Sequence, residues 1–128
     1  MVSVSAVERT LYSRLGGYDA IAALVDEFLQ TLASDPQMAR FSGGLNLERR
    51  KRNRQLTLDY LCAATGGPTL YLGQDMKTAH AGLEISRIEW EIAMDHIRRA
   101  LAKFAVSDRE SGELMAVFSS LADQIVER

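Results

Sequence analysis

His80 is the residue in this chain best suited to chemistry. Imidazole is the commonest side-chain metal ligand and titrates nearest neutrality. Only two histidines occur among 128 residues, so a site that needs imidazole has few places to be. His80 lies in the run Met76-Lys77-Thr78-Ala79-His80-Ala81-Gly82-Leu83, just after the loop Gly66-Gly67-Pro68-Thr69-Leu70-Tyr71-Leu72-Gly73. The Gly-Gly-Pro stop closes a long helical pattern. A loop follows, and a short apolar-lined segment then presents the imidazole. Such an arrangement can hold a histidine over a flat cofactor, with its other ring nitrogen donating to a carbonyl about one helical turn back, near Met76.

The remaining reactive groups point elsewhere. Cys62, the single cysteine, sits in an apolar helical stretch and reads as inert packing. One cysteine excludes an intramolecular disulfide, which suits a reducing cytosol and a cytoplasmic protein. The run Arg49, Arg50, Lys51, Arg52 and Arg54 is a solvated helix face, or a source of one or two cations for acidic groups of a cofactor at a pocket mouth. It lacks interleaved aromatics and the chain carries a net charge of −2, so no nucleic-acid partner is expected. Neither a signal pattern nor an apolar run of membrane-spanning length is apparent. No flavin or nicotinamide motif is present, so any electrons must come from outside.

The elements that position His80 read as all helix, with two prolines and no alternating strand pattern. Length and a 47% hydrophobic fraction fit one domain, 1–128, with a full core. Helices are expected over 7–14, stopped by Gly16-Gly17, and over 19–32, with Ile21, Leu24, Val25, Phe28 and Leu32 on one face. Asp35-Pro36 opens a corner to Phe41 and Gly43-Gly44. A long helix over 46–64 is basic in its first half and apolar in its second. A short helix over 75–81 carries His80. Ser86-Arg87-Ile88-Glu89 and Ser107-Asp108-Arg109-Glu110 read as capping boxes. They open helices to 104, with Trp90, Ala93, Met94, Ile97, Leu101 and Phe104 inward, and to 127, with Leu114, Phe118, Leu121 and Ile125 inward.

From Leu11 to about Val126 the chain resembles a group I truncated haemoglobin. The resemblance is carried by Leu11-Tyr12-Ser13-Arg14-Leu15-Gly16-Gly17, Val25-Asp26-Glu27-Phe28, the Phe41-Ser42-Gly43 corner, Gly66-Gly67-Pro68, Tyr71-Leu72-Gly73, Asp75-Met76-Lys77, His80-Ala81-Gly82 and Ile85. It implies an all-α, two-over-two helical sandwich around haem b. His80 matches the family's proximal iron ligand, and Phe41 the aromatic against the porphyrin face. Phe28, Tyr71, Met76, Ile85, Trp90, Ile97 and Phe118 match pocket wall. Lys77 is a further candidate to pair with a propionate.

The distal side departs from the family pattern. Where the family carries a ligand-binding tyrosine after the residue matching Phe28, this chain has Leu29, which has no proton to donate. Where the family has a second phenylalanine before the corner, it has Arg40. Two registers of the distal helix are open. Counting back without gaps from Gly66-Gly67 puts Asn53 and Thr57 on the ligand face. Matching the Arg54-Gln55 pair puts Lys51 and Gln55 there. The gapless register is preferred, because a two-residue insertion would rotate the preceding helix by roughly 200°. His96 lies on the wrong helix for a distal ligand, so no bis-histidine haem is expected. The resemblance implies binding of O2, CO and NO at a histidine-held iron, with nitric oxide dioxygenase or weak peroxidase-like activity conceivable given an external reductase. A haem-based gas sensor, or a haem or electron-transfer module acting through a partner protein, is the alternative. Oligomeric state is open.

Overall fold

Thr10 caps the first helix among the described residues. Its hydroxyl accepts from the Ser13 amide at 3.1 Å and opens α1 (Leu11–Leu15). The computed structural model describes residues 10–41 and 46–128. Val7, the expected start of the first helix, and Ser42, Gly43 and Gly44 of the expected corner lie outside those residues. Within them the first helix starts at Leu11, because Thr10 supplies the cap. Gly16 ends it with a φ of 108°. A Cβ there would come within 2.8 Å of the Ala20 Cβ, so the sharp turn into α2 (Gly17–Ser34) needs glycine. This second helix runs two residues beyond the expected 19–32 at each end.

A 3₁₀ turn, Ala39–Phe41, forms the visible part of the corner. Asn46 then caps α3 (Leu47–Ala64), accepting from the Arg49 amide at 2.8 Å. The Gly-Gly stop acts as read: the Gly67 amide donates back to the Cys62 carbonyl at 2.8 Å. A Cβ on Gly67 would lie 2.5 Å from the Tyr12 ring. That close approach lets Tyr12 N–H reach the Thr65 carbonyl at 2.8 Å and pins α1 to the end of α3.

Next come α4 (Met76–His80), α5 (Arg87–Lys103), α6 (Asp108–Ser119) and α7 (Ala122–Ile125). Three expectations need correction here. The last helix breaks between Ser119 and Ala122. There Leu121 N–H turns back to Phe118 O at 2.9 Å, and the Ser120 hydroxyl takes the Val117 carbonyl at 2.6 Å. The tightened turn re-aims Leu121 and Ile125, which stay buried. Phe104 is not part of an inner stripe. It follows the last residue of α5 and is 44% exposed, and Ala105 adopts a φ of 55° to leave the helix. The Ser107 box is only half formed. Glu110 N–H donates to the Ser107 hydroxyl at 3.4 Å, but the Glu110 carboxylate does not return to the cap. It accepts instead from that hydroxyl and from Arg14 at 3.3 Å.

The Ser86 box is complete: Ser86 Oγ accepts from Glu89 N–H at 3.1 Å and Glu89 Oε1 accepts from Ser86 N–H at 3.0 Å. A Ser86→Ala substitution should therefore lower stability by about 1 kcal/mol, or about 4 °C in Tm for a chain of this size, measured by thermal circular dichroism.

Two helix pairs make the layers. α2 packs on α3, α5 packs on α6, and α2 also crosses α5; α1 rests on α2 and α6, and α4 on α7. The core lies where these meet, with Ile21 and Val25 of α2, Leu58 and Cys62 of α3, and Trp90, Met94 and Leu101 of α5. Burial raises the Cys62 thiol pKa, in keeping with packing rather than reactivity. Among the described residues no strand forms, and no helix is long and apolar enough to cross a membrane.

Candidate functional site, a haem pocket

α4 is only five residues long, yet its ends are well fixed. Asp75 caps it, accepting from Thr78 N–H at 3.2 Å, and the hydrogen bonds from Thr78 keep its carboxyl below the usual range. His80 is the last helical residue. Its Nδ1 lies 2.8 Å from the Met76 carbonyl, one turn back as expected. A carbonyl only accepts, so Nδ1 carries the proton and Nε2 keeps its lone pair for a metal.

His80 lines an open cavity of about 1140 Å³. Pockets for compact organic ligands run about 300–1,000 Å³, so this one suits a large flat group. Its wall is mainly apolar and aromatic. Phe28 and Leu29 come from α2, Phe41 from the corner, Tyr71 from the loop, Met76 from α4, Ile85 and Trp90 from the start of α5, and Phe118 from α6. Tyr71 meets Tyr60 edge-on at 5.2 Å, and its hydroxyl donates to the Gln74 carbonyl at 2.5 Å, which holds the loop against the wall. Large apolar walls, one metal-competent imidazole and cations at the rim match the chemistry of haem: an apolar macrocycle, an iron and two carboxylates.

Three sequence candidates sit elsewhere. Ile97 is buried on the far side of Phe28 and Phe118, on a separate apolar void of about 20 Å³. It kept the period of the α5 stripe but faces the inter-layer core. Lys77 is exposed on α4 and does not line the cavity. Gln55 is also off the wall. Its amide donates to the Tyr18 hydroxyl at 3.2 Å and to Asp59 at 2.8 Å, because residues 100° apart on a helix face different ways.

Asn53 and Thr57 both line the cavity, as does Lys51. The Thr57 hydroxyl, however, donates to the Asn53 carbonyl at 2.8 Å within the helix. Its single proton is therefore committed, and Thr57 offers the cavity a lone pair. The Asn53 amide has no such engagement among the described residues. Leu29 beside them offers no donor, so of these three side chains only the Asn53 amide has a proton free; the other donors lining the cavity include Arg50, Lys51 and Arg52. His96 is buried away from the cavity, its Nε2 2.8 Å from Asp35 Oδ2 at the end of α2.

Sequence reasoning missed what holds the loop after His80. Arg40 reaches it from the corner. Its guanidinium donates to Leu83 O at 2.9 Å and Glu84 O at 3.2 Å, and it takes Glu89 in a two-pronged pair at 2.9 and 2.8 Å. The same group lies 4.0 Å over the Phe41 ring. Glu127, just beyond α7, accepts from Gly82 N–H at 3.2 Å and Glu84 N–H at 2.9 Å. Two charged side chains thus satisfy backbone groups of a loop that has no ladder of its own. No local signal marks either residue, since these partners lie 43 or more positions away on other elements.

The Arg40 guanidinium holds the Glu89 carboxyl down from 4.5 to about 2. A depressed acid stabilises the fold above its unfolded value and loses that effect as pH falls through its folded value. An Arg40→Ala protein should accordingly be less stable than the parent above 4.5, with the gap closing between 4.5 and about 2. Acid titrations of both proteins by far-UV circular dichroism check this. A gap that persists at the acid end would mean that Arg40 acts through its carbonyl bonds to Leu83 and Glu84 or its packing on Phe41 instead.

The family model described as bacterial-like globin matches residues 10–127. The group 1 truncated hemoglobin of Mycolicibacterium paratuberculosis is 29% identical over 116 residues, 91% of this chain and 83% of that protein. The group 1 truncated hemoglobin of Tetrahymena thermophila is 27% identical, covering 84% of this chain and 87% of that one. In three dimensions the truncated hemoglobin of Tetrahymena pyriformis superimposes with a TM-score of 0.85 at 22% identity, over 94% of this chain and all of that one. The hemoglobin of Chloroflexus aurantiacus gives 0.80 at 24%, over 94% of this chain and 100% of its own. The match over nearly the whole length, together with the paired helical layers and the cavity under His80, settles the family: the chain belongs to the bacterial-like globins, with the two-over-two fold of the truncated haemoglobins.

Proposed function

We propose that this single domain binds haem b with His80 as the axial iron ligand and takes O2, CO and NO on the opposite side. The observation that carries the reading is the His80 Nδ1–Met76 carbonyl bond of 2.8 Å, which frees Nε2 on the wall of a cavity of about 1140 Å³. Bound iron supplies the gas-binding and redox chemistry. The protein's own residues orient the imidazole, line the cavity with aromatics such as Phe41 and Trp90, and set the polarity of the distal face with Leu29, Asn53 and Thr57.

The distal residues favour exchange of gases over tight retention of oxygen. Of Leu29, Asn53 and Thr57, only the Asn53 amide has a proton free to donate to a ligand. Nitric oxide dioxygenase activity fits the same pocket but needs an external reductase to return iron to the ferrous state. Peroxide cleavage is less favoured, because no histidine stands on the distal wall to move a proton. The single cysteine suits a cytoplasmic setting, and a haem-based gas sensor or electron-transfer module acting through a partner protein is the alternative reading.

Absorption spectra of the haem-loaded protein in ferric, dithionite-reduced and carbon-monoxide forms test it. Five-coordinate ferrous haem that takes up carbon monoxide is expected. A bis-histidine spectrum would overturn the coordination, since His96 is held by Asp35. Failure to retain haem would overturn the function.

A further inference from the structure

The first two turns of α3 lie at the surface. Residues 47–53 are all exposed, and they carry Arg49, Arg50, Lys51 and Arg52 in succession. None of these four side chains has an ion-pair or hydrogen-bond partner among the described residues. Arg54, one turn on, is paired with Asp26 at 2.5 Å. The four cations also stand at the positive end of the helix dipole, where charge of this sign is disfavoured. They repel one another as well, and an anionic partner would relieve both costs.

Haem propionates cannot take up the whole run. Consecutive helix residues point 100° apart, so four of them fan around the axis and no single cavity engages all. Arg50, Lys51 and Arg52 line the cavity, whereas Arg49 does not. The chain carries −2 overall, so with these four cations set aside the rest of it sums to −6. These four cations gather positive charge beside the cavity rim on a chain whose remaining charge is negative. An approaching acidic protein would be steered to that rim and repelled elsewhere.

We propose that the amino-terminal half of α3 is the docking face for an acidic one-electron carrier protein, which places its redox centre at the edge of the haem pocket. The inference rests on the haem reading above. One electron passes from the reduced carrier to ferric iron, giving ferrous iron and a carrier oxidised by one electron, and no bond is made or broken.

The test uses haem-loaded protein and a small acidic [2Fe–2S] ferredoxin as the probe, with a carbon monoxide difference spectrum recorded first. If haem is not retained, the pocket reading fails and the proposal falls with it. If it is retained, amide chemical-shift changes on adding ferredoxin should centre on residues 47–53. Reduction of the ferric protein by reduced ferredoxin should slow about tenfold as ionic strength rises from about 0.02 to 0.3 M. Arg49→Glu should slow it about fivefold at low salt, with carbon monoxide binding unchanged. Arg98→Glu, on an exposed α5 cation off the cavity wall, should change it less than about twofold. Shifts centred elsewhere, a salt-independent rate, or equal effects of the two variants would overturn the proposal. So would tighter binding of the same face to duplex DNA or to phosphatidylserine vesicles.

Discussion

His80→Ala should leave a folded protein that no longer holds haem firmly. The side chain is only partly buried at the end of the five-residue α4, so its loss removes little core packing. What goes is the lone pair that Nε2 keeps while Nδ1 binds the Met76 carbonyl. Losing only an outer partner of a metal-bound histidine costs about 10–100-fold in affinity, so loss of the ligand itself should exceed about 100-fold. Transfer of haem to excess apo-globin acceptor, followed by absorbance, measures this. Far-UV circular dichroism shows whether the helices persist. Added imidazole should restore carbon monoxide binding to a His80→Gly protein, because that variant opens a space of the right shape. Haem retention in His80→Ala equal to that of the parent would remove His80 from the iron.

Leu29→Tyr should slow oxygen release without altering carbon monoxide release by a similar factor. Leu29 lines the cavity directly after Phe28 on α2. A hydroxyl there would add a donor beside one committed threonine and one amide. A hydrogen bond to a polarised ligand in a low-dielectric pocket is worth about 1.5–3 kcal/mol, or about 10–150-fold in the oxygen dissociation rate. Carbon monoxide is less polarised and should respond much less. Leu29→Phe is the control, with similar bulk and no proton. Stopped-flow displacement of oxygen by carbon monoxide reads the rate. If the tyrosine and phenylalanine variants behave alike, donor chemistry at this position does not govern retention.

Both predictions start from features visible in the chain, but to different depths. His80 stood out by scarcity and by its place after a Gly-Gly-Pro stop, and the bond to Met76 is expected once His80 is read as a metal ligand one helical turn beyond it. The face of α3 was legible only in part. The gapless register puts Asn53 and Thr57 on the ligand side and the other puts Lys51 and Gln55 there; Lys51, Asn53 and Thr57 all line the cavity, while Gln55 turns to Tyr18 and Asp59. Period could not tell which buried face of α5 meets the cofactor cavity. Trp90 and Ile97 share a stripe, yet Trp90 lines the large cavity and Ile97 the small void between the layers. Nor could it reveal that the Thr57 proton is spent on its own helix.

What the chain determined by itself is local. Helix starts at Asn46, Asp75 and Ser86, stops at Gly16 and Gly67, and the apolar stripes follow from backbone hydrogen-bonding needs and the 3.6-residue period, which act over a few residues. The tertiary structure decided what depends on distant groups meeting. Arg40 and Glu127 close on the loop beyond His80 from opposite ends of the chain, and the last helix breaks so that Leu121 and Ile125 turn inward. Glu110 abandons a capping box for Arg14, 96 positions away. Charged side chains on long, flexible stems settle wherever packing of the helices brings an opposite charge or an unsatisfied carbonyl within about 3 Å. That proximity is a property of the assembled layers, and no window along the sequence contains it.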